Sequence, residues 1–255
     1  MLDKMNYFAY RTAAERYAMA RPYFHPLVME KVAAHWLKRI PFARALDVGC
    51  GTGMSTRALL LIADQAIGTD ISPEMLAQTE QSPRIQFVQA PAEKLPFASH
   101  RFDLITSCMA FHWFDQPRFL REAARLLKKG APLLIYGHGF AGAMQGNPDF
   151  AEWNNQIYRQ HYPNPPRQSV SVSQQRLQQT GWLHETEVFS HTIPMSLEQL
   201  VRYLLTQSNV IVRVEQGSQT AEAVYDWLRD SLRPFFRQPF EQMQFRGHIW
   251  YCRVP

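Results

Sequence analysis

Short apolar runs that end in small or acidic residues recur along the chain, separated by stretches with helical spacing. The run Ala45-Leu46-Asp47-Val48 reads as a strand. Ser55 and Thr56 open the apolar run Ala58–Ala63, which predicts a buried helix whose first amides face the preceding loop. Gln65–Asp70, Ile85–Gln89 and Phe102–Ser107 predict a second, third and fourth strand. Gly137–Thr180 is the least periodic stretch; with Gly137, Gly139, Gly142, Gly146 and the run Pro163-Asn164-Pro165-Pro166 it reads as a loop-rich insertion. Thr186–Pro194 predicts a further strand. Residues 197–233 return to helical spacing, with Leu197, Leu200, Val201, Leu204 and Leu205 on one face, and Ile249–Val254 predicts a last strand. Residues 5–38 read as one or two helices ahead of the first strand.

The chemistry concentrates where the first strand ends. Asp47-Val48-Gly49-Cys50-Gly51-Thr52-Gly53 places three alternating glycines after an acid, so the backbone can turn sharply and approach a ligand closely. A dinucleotide fingerprint wants glycines at the first, third and sixth places; counted from Gly49 the sixth place is Met54, and from Gly51 it is Thr56. A nicotinamide cofactor is therefore disfavoured. Asp70 ends the second strand about twenty residues beyond the loop, where a nucleotide-binding βαβ unit places the acid for the ribose hydroxyls. Asp70-Ile71-Ser72-Pro73-Glu74 also reads as a helix cap with Pro73 in the first turn.

The string acid-x-Gly-x-Gly-x-Gly resembles motif I of class I S-adenosylmethionine (SAM) methyltransferases, and residues 47–53 fill every place of it. The resemblance implies an α/β, Rossmann-like doubly wound sheet, mostly parallel with an antiparallel C-terminal strand and a helical lid. Ala90–Phe97 is similar to the family's adenine-side loop, Asp-Ala-Glu-x-Leu-Pro-Phe, with Pro91 in the place of the acid, which leaves backbone groups of Ala92 and Glu93 as substitutes. The segment from His112 through Gly130 resembles the helix leading to the fifth strand, Ala131–Tyr136, in small-molecule enzymes of the trans-aconitate type. Tyr17–Pro26 resembles that group's Tyr-x-x-x-Arg-Pro-x-Tyr-Pro signature, and Leu204–Ser208 its Thr-Trp-Ser segment with Gln207 replacing Trp. The cofactor site so implied comprises Asp47, Gly49, Cys50, Gly51, Gly53, Asp70, Ile71, Met75, Ala92, Glu93 and Ser107, with Ile71 and Met75 as the apolar wall for adenine.

With 255 residues, 46% of them hydrophobic, the chain is long enough for one α/β domain with an elaborated lid. The expected partition is an N-terminal helical arm (1–37), a cofactor-binding core (38–140), substrate lid and remaining core (141–245) and a final strand (246–255). Charges at Asp3, Lys4, Arg11 and Arg16 interrupt any signal-like apolar region, and no apolar run approaches membrane-spanning length, so a cytoplasmic protein is expected. Cys50, Cys108 and Cys252 are odd in number and far apart, suggesting neither a disulfide framework nor a metal site.

These features point to SAM-dependent methyl transfer onto a small organic molecule, with carboxylic acids ahead of other acceptors. A carboxylate needs positioning without a base, whereas an amine, phenol or carbon acid needs a proton removed. His112 is the base candidate and, alternatively, orients its loop; Arg21 and Trp113 are the acceptor-binding candidates. The lid aromatics Trp153, Tyr158, Tyr162, Tyr203 and Phe235 suit either a partly apolar substrate or a core. The net charge of +5 raises a nucleic-acid (RNA) methyltransferase as an alternative, but positive charge is spread without a dense block. Asn164-Pro165-Pro166-Arg167 stands far from the end of the fourth strand, where base-amine enzymes carry a similar string. A non-catalytic SAM-binding regulatory protein is the other alternative. The sequence assigns no oligomeric state.

Overall fold

The computed structural model describes residues 20–36, 40–164, 177 and 180–254. The elements run α1 (His25–His35), β1 (Phe42–Val48), α2 (Met54–Leu59), β2 (Ala63–Asp70), α3 (Pro73–Leu76), β3 (Ile85–Gln89), β4 (Leu104–Cys108), α4 (Gln116–Leu126) and β5 (Pro132–Met144). A helical stretch follows: α5 (Pro148–Trp153), a π-helical turn (Asn154–Tyr158) and α6 (Arg159–His161). Then come β6 (Leu183–Met195), α7 (Leu197–Leu204), α8 (Ser208–Glu215), α9 (Ala221–Leu232) and β7 (Glu241–Arg253).

The seven strands form one sheet in the order β3-β2-β1-β4-β5-β7-β6. β1 pairs in parallel with β2 and β4, β2 with β3, and β4 with β5. β7 runs against β5 and β6: Gln145 N–H donates to Gln242 O, Phe189 lies against Gly247, and His191 stacks on Phe245. This is the mostly parallel, Rossmann-like sheet with one antiparallel strand that the resemblance implied.

Local chemistry accounts for the helix boundaries. In α4, Phe119, Leu120, Ala123 and Leu126 recur at helical spacing and are buried; Asp115 caps the first turn by accepting from Arg118 N–H at 3.2 Å. Ser196 and Gln199 form a reciprocal capping box at the start of α7.

Two expectations are corrected. The helix after the glycine loop ends at Leu59, and Leu61 is 63% exposed. Ala63 belongs to β2, paired with Phe42, whose N–H donates to Ile62 O at 2.8 Å; sheet pairing overrides the apolar run's helical reading. The loop-rich reading of Gly137–Thr180 also fails over its described part. β5 continues through Gly137, Gly139 and Gly142 to Met144, and a helical stretch follows in which Phe150, Trp153 and Tyr158 are buried. β5, β6 and β7 are each 13 residues long, so neighbouring backbone supplies the ladder that side-chain patterning did not announce.

By contact the chain divides into two compact units. One holds residues 23–137, the described part of 169–188, and 248–254; the other holds residues 20–22, the described part of 138–168, and 189–247. The first unit's core packs Leu46, Val48, Ile105, Phe119, Leu133 and Ile135. In the second, Trp153, Tyr158, Tyr162 and Tyr203 pack with Leu204, Leu228 and Phe245, and Phe235 leans on them, so these aromatics are core.

At the N-terminus of α1, His25 is buried in the first unit, with Nδ1 3.2 Å from Tyr136 Oη and 3.8 Å from Cys108 Sγ. Burial, with a smaller repulsion from Arg57, pushes its pKa from 6.5 down to about 3. The folded state thus holds this imidazole neutral, while the unfolded chain protonates it below 6.5. Stability from this group is full above 6.5 and is lost as pH falls toward about 3, with a slope of at most about 1.4 kcal/mol per pH unit. Asp47 and Asp70, raised by burial, slope the other way, so the comparison needs a variant. Urea midpoints of the wild type and His25→Asn, measured from neutral pH down into the acid range, should show the steeper acid loss in the wild type; parallel profiles would refute the assignment.

Candidate cofactor site

The site is built on the loop between β1 and α2. Gly49, Gly51 and Gly53 all take positive φ, at 72°, 55° and 81°. A Cβ on Gly49 would stand 2.4 Å from Ala110 Cβ, and one on Gly53 2.7 Å from the Phe87 ring, so side chains are excluded at both places. Four of the loop's amides are spent inside the protein. Gly49 and Cys50 N–H donate to Thr69 O at 2.8 and 2.9 Å, Gly53 N–H to Cys50 O at 3.0 Å, and Gly51 N–H to Asp70 Oδ2 at 2.8 Å. The loop therefore offers shape and close approach more than donors. Cys50 is buried within it, and burial pushes its thiol well above the ordinary range.

Asp47, the acid of the motif, is fully buried. Its carboxylate accepts from Ser55 Oγ at 2.5 Å, Thr56 Oγ1 at 2.8 Å and Thr106 Oγ1 at 2.9 Å. Burial raises its pKa, while the three hydroxyls pull the other way. The side chain is thus turned into the protein, where it ties β1 to the start of α2 and to β4. The hydroxyl partners were missed in the sequence; the readable signal is Thr106, level with Asp47 in the β1–β4 register.

Asp70 ends β2 half-buried. Each carboxylate oxygen takes one backbone N–H, Oδ2 from Gly51 and Oδ1 from Ser72 at 2.9 Å, and each keeps capacity for another donor. Burial raises its pKa. The helix cap is Ser72, which accepts from Met75 N–H; Asp70 does not cap α3. Met75 is buried, with its Cε 2.9 Å from where a Gly51 Cβ would stand, and Ile71 is 61% exposed.

The loops after β3 and β4 complete the carboxyl edge of the sheet, where ligands of doubly wound folds bind. Ala90 N–H donates to Asp70 O, and Ala92 is buried. The Glu93 side chain accepts from Asp115 N–H at 2.7 Å, binding the two loops together. Ser107 is fully buried, and its hydroxyl has no hydrogen-bond partner among the described residues. His112 and Trp113 lie on a single 3₁₀ turn, Phe111–Trp113, with ring centroids 4.7 Å apart; Phe111 anchors the turn and Trp113 is 41% exposed. Among the described residues no three potential metal ligands cluster.

Arg21 belongs to the second unit. Its Nη2 donates to Thr206 O at 2.8 Å, and its guanidinium lies 5.2 Å from the Tyr203 ring centroid. The two weaker sequence matches, around Arg21 and Thr206, thus meet in space. Of these matched segments, Tyr17–Met19 lie outside the described residues, as do Pro165–Arg167 of the proline string.

Residues 46–135 match the family model described as a methyltransferase domain. The chain is 28% identical over 166 residues to an uncharacterized methyltransferase of Bacillus subtilis, covering 62% of this chain and 64% of that one. It is 32% identical over 130 residues to a malonyl-[acyl-carrier protein] O-methyltransferase of Enterobacter lignolyticus, covering 48% and 52%. The chain thus spans between about half and two thirds of the length of these relatives. A solved protein from Anaeromyxobacter dehalogenans, described as a type II methyltransferase, shares the fold with a TM-score of 0.68 at 21% identity, over 88% of this chain and 95% of that one. Glycine loop, strand order and matched segment agree, and residues 46–135 carry the methyltransferase domain on a Rossmann-like methyltransferase fold.

Proposed function

We propose that this chain binds SAM at the glycine loop and transfers its methyl group to a small organic acid, forming a methyl ester. The observation that carries the cofactor reading is the pairing of Gly51 N–H with Asp70 across a loop whose other glycines leave no room for side chains. A pyrophosphate would call on loop amides that this protein spends on Thr69, Cys50 and Asp70. A nucleoside with vicinal hydroxyls and no phosphate asks instead for close backbone approach and an acceptor carboxylate. Met75 and Ile71 beside Asp70 suit an adenine ring, with Ala92 and Glu93 on the loop after β3 and Ser107 near the end of β4 as its further candidate neighbours.

SAM supplies an electrophilic methyl on a sulfonium that carries its own leaving group. The protein's share is alignment and exclusion of water. The turn bearing His112 and Trp113 follows β4 on the carboxyl edge, where an acceptor would meet the methyl. An acid acceptor is supported by the relative named for O-methylation of a malonyl group, and it removes the need for a base. In that case His112 orients its turn and takes no proton.

Titration calorimetry of SAM and S-adenosylhomocysteine checks the cofactor site. Micromolar binding is expected in the wild type, weakened roughly a hundredfold in Asp70→Ala, where both ribose acceptors are lost. Gly53→Val should lose binding through strain at positive φ and collision with Phe87. No binding by a folded wild type would overturn the reading. His112→Asn is expected to retain turnover of an acid found by screening for S-adenosylhomocysteine release; a loss of roughly a hundredfold or more would make His112 a general base.

A further inference from the structure

The amino edge of the sheet, at the far end of the parallel strands from the glycine loop, carries a separate recess. Its walls come from the end of α1 (His35 and its cap Trp36), the start of β5 (Pro132), the third residue of β6 (Glu185) and the end of β7 (Tyr251 and Arg253), all within the first unit. The recess holds about 50 Å³, too little for a nucleoside and suited to a ligand of a few heavy atoms. Its floor is aromatic and fixed. The Tyr251 ring stacks on His35 with centroids 4.0 Å apart and planes 12° apart, and Trp36 stands at 87° to Tyr251 with centroids 5.2 Å apart. Phe42 braces Trp36 edge-on at 6.3 Å. Tyr251 Oη donates to Glu187 Oε2 at 2.9 Å, and Glu187 also accepts from Lys31 at 2.7 Å, so the polar end of the phenol is occupied and its ring presents apolar surface. The charges at the rim have opposite sign and do not meet. Glu185 is exposed and approaches His35 Nε2 only to 3.9 Å, too long for a hydrogen bond. Arg253 is exposed and makes no ion pair among the described residues.

We propose that this recess binds a small α-amino acid as its zwitterion, with the ammonium toward Glu185, the carboxylate on Arg253 and a short apolar side chain against Trp36, Tyr251 and Pro132. A lone cation is opposed by Arg253 and a lone anion by Glu185, whereas a zwitterion satisfies both charges at once. The guanidinium also offers paired N–H donors matched in geometry to a carboxylate. Because both charges are exposed, each contributes modestly, and the expected affinity is millimolar. The site is distinct from the glycine loop and stands independently of the methyl-transfer reading.

The probes are L-alanine, ethylamine hydrochloride and sodium propionate, the last two being alanine without its carboxylate and without its ammonium. In the isotope-labelled full chain, the indole N–H resonance of Trp36, assigned with Trp36→Phe, should shift saturably with alanine and reach half its change in the low millimolar range. Each half-molecule should bind at least roughly tenfold more weakly. Glu185→Gln and Arg253→Gln should each weaken alanine roughly fivefold or more, and because both side chains are exposed the variants should keep the wild-type urea midpoint. No saturable shift up to roughly 50 mM alanine would overturn the proposal, as would ethylamine or propionate binding as tightly as alanine. Unchanged alanine affinity in either folded variant would overturn it too, and so would a shift that grows without saturation, which marks a solvent effect.

Discussion

The buried carboxylate of Asp47 is the constraint on which the cofactor end of the protein is built. A carboxylate without access to water is costly unless its lone pairs are filled, and here Ser55, Thr56 and Thr106 fill them from two different elements. Because those hydroxyls come from the first turn of α2 and from β4, the same three bonds that offset desolvation also fix where the helix starts relative to the strands. The glycine loop is the short path between these fixed points. Its backbone takes positive φ at Gly49, Gly51 and Gly53, and four of its amides turn inward to Thr69, Cys50 and Asp70. The motif acid thus holds the frame of the loop through hydroxyls on either side of it.

A second chain of contacts joins the rest of the carboxyl edge. Ala90 hangs on Asp70 through a backbone bond, Glu93 reaches Asp115, and Leu95 and Phe97 are held by Glu122 and Arg125 of α4. The loops after β2, β3 and β4 are thereby connected through polar contacts that need little apolar packing. Glu122 lies below its ordinary carboxylate range because Arg125 sits against it. Such partly exposed pairs add little stability individually, and their use here is to keep register along the rim.

Much of this was legible in the residues, for reasons that differ by region. β3 was readable to the residue, and β1, β2 and β4 nearly so, because each is short, apolar and ended by a polar turn. The positions of the glycines and of Asp70 followed from the backbone demands of a tight loop. The long strands β5, β6 and β7 were not readable at full length. Gly137, Gly139 and Gly142 look like loop residues, yet 13-residue neighbours provide the hydrogen bonds that keep the backbone extended. The helix expected over Ala58–Ala63 ended early because Ala63 pairs with Phe42. Asp47's three hydroxyl partners and the His25–Tyr136–Cys108 contact bring together residues distant in the chain, which no local pattern announces.

The inward-turned amides of the glycine loop bear on kinetics. A loop that keeps its amides on Thr69, Cys50 and Asp70 is already in its final shape before anything arrives, so no ordering entropy is charged on entry and no bonds must reform on exit. A ligand that enters or leaves the loop would then cross a stationary floor, and its residence time would be set by the contacts it makes there rather than by rearrangement of the backbone.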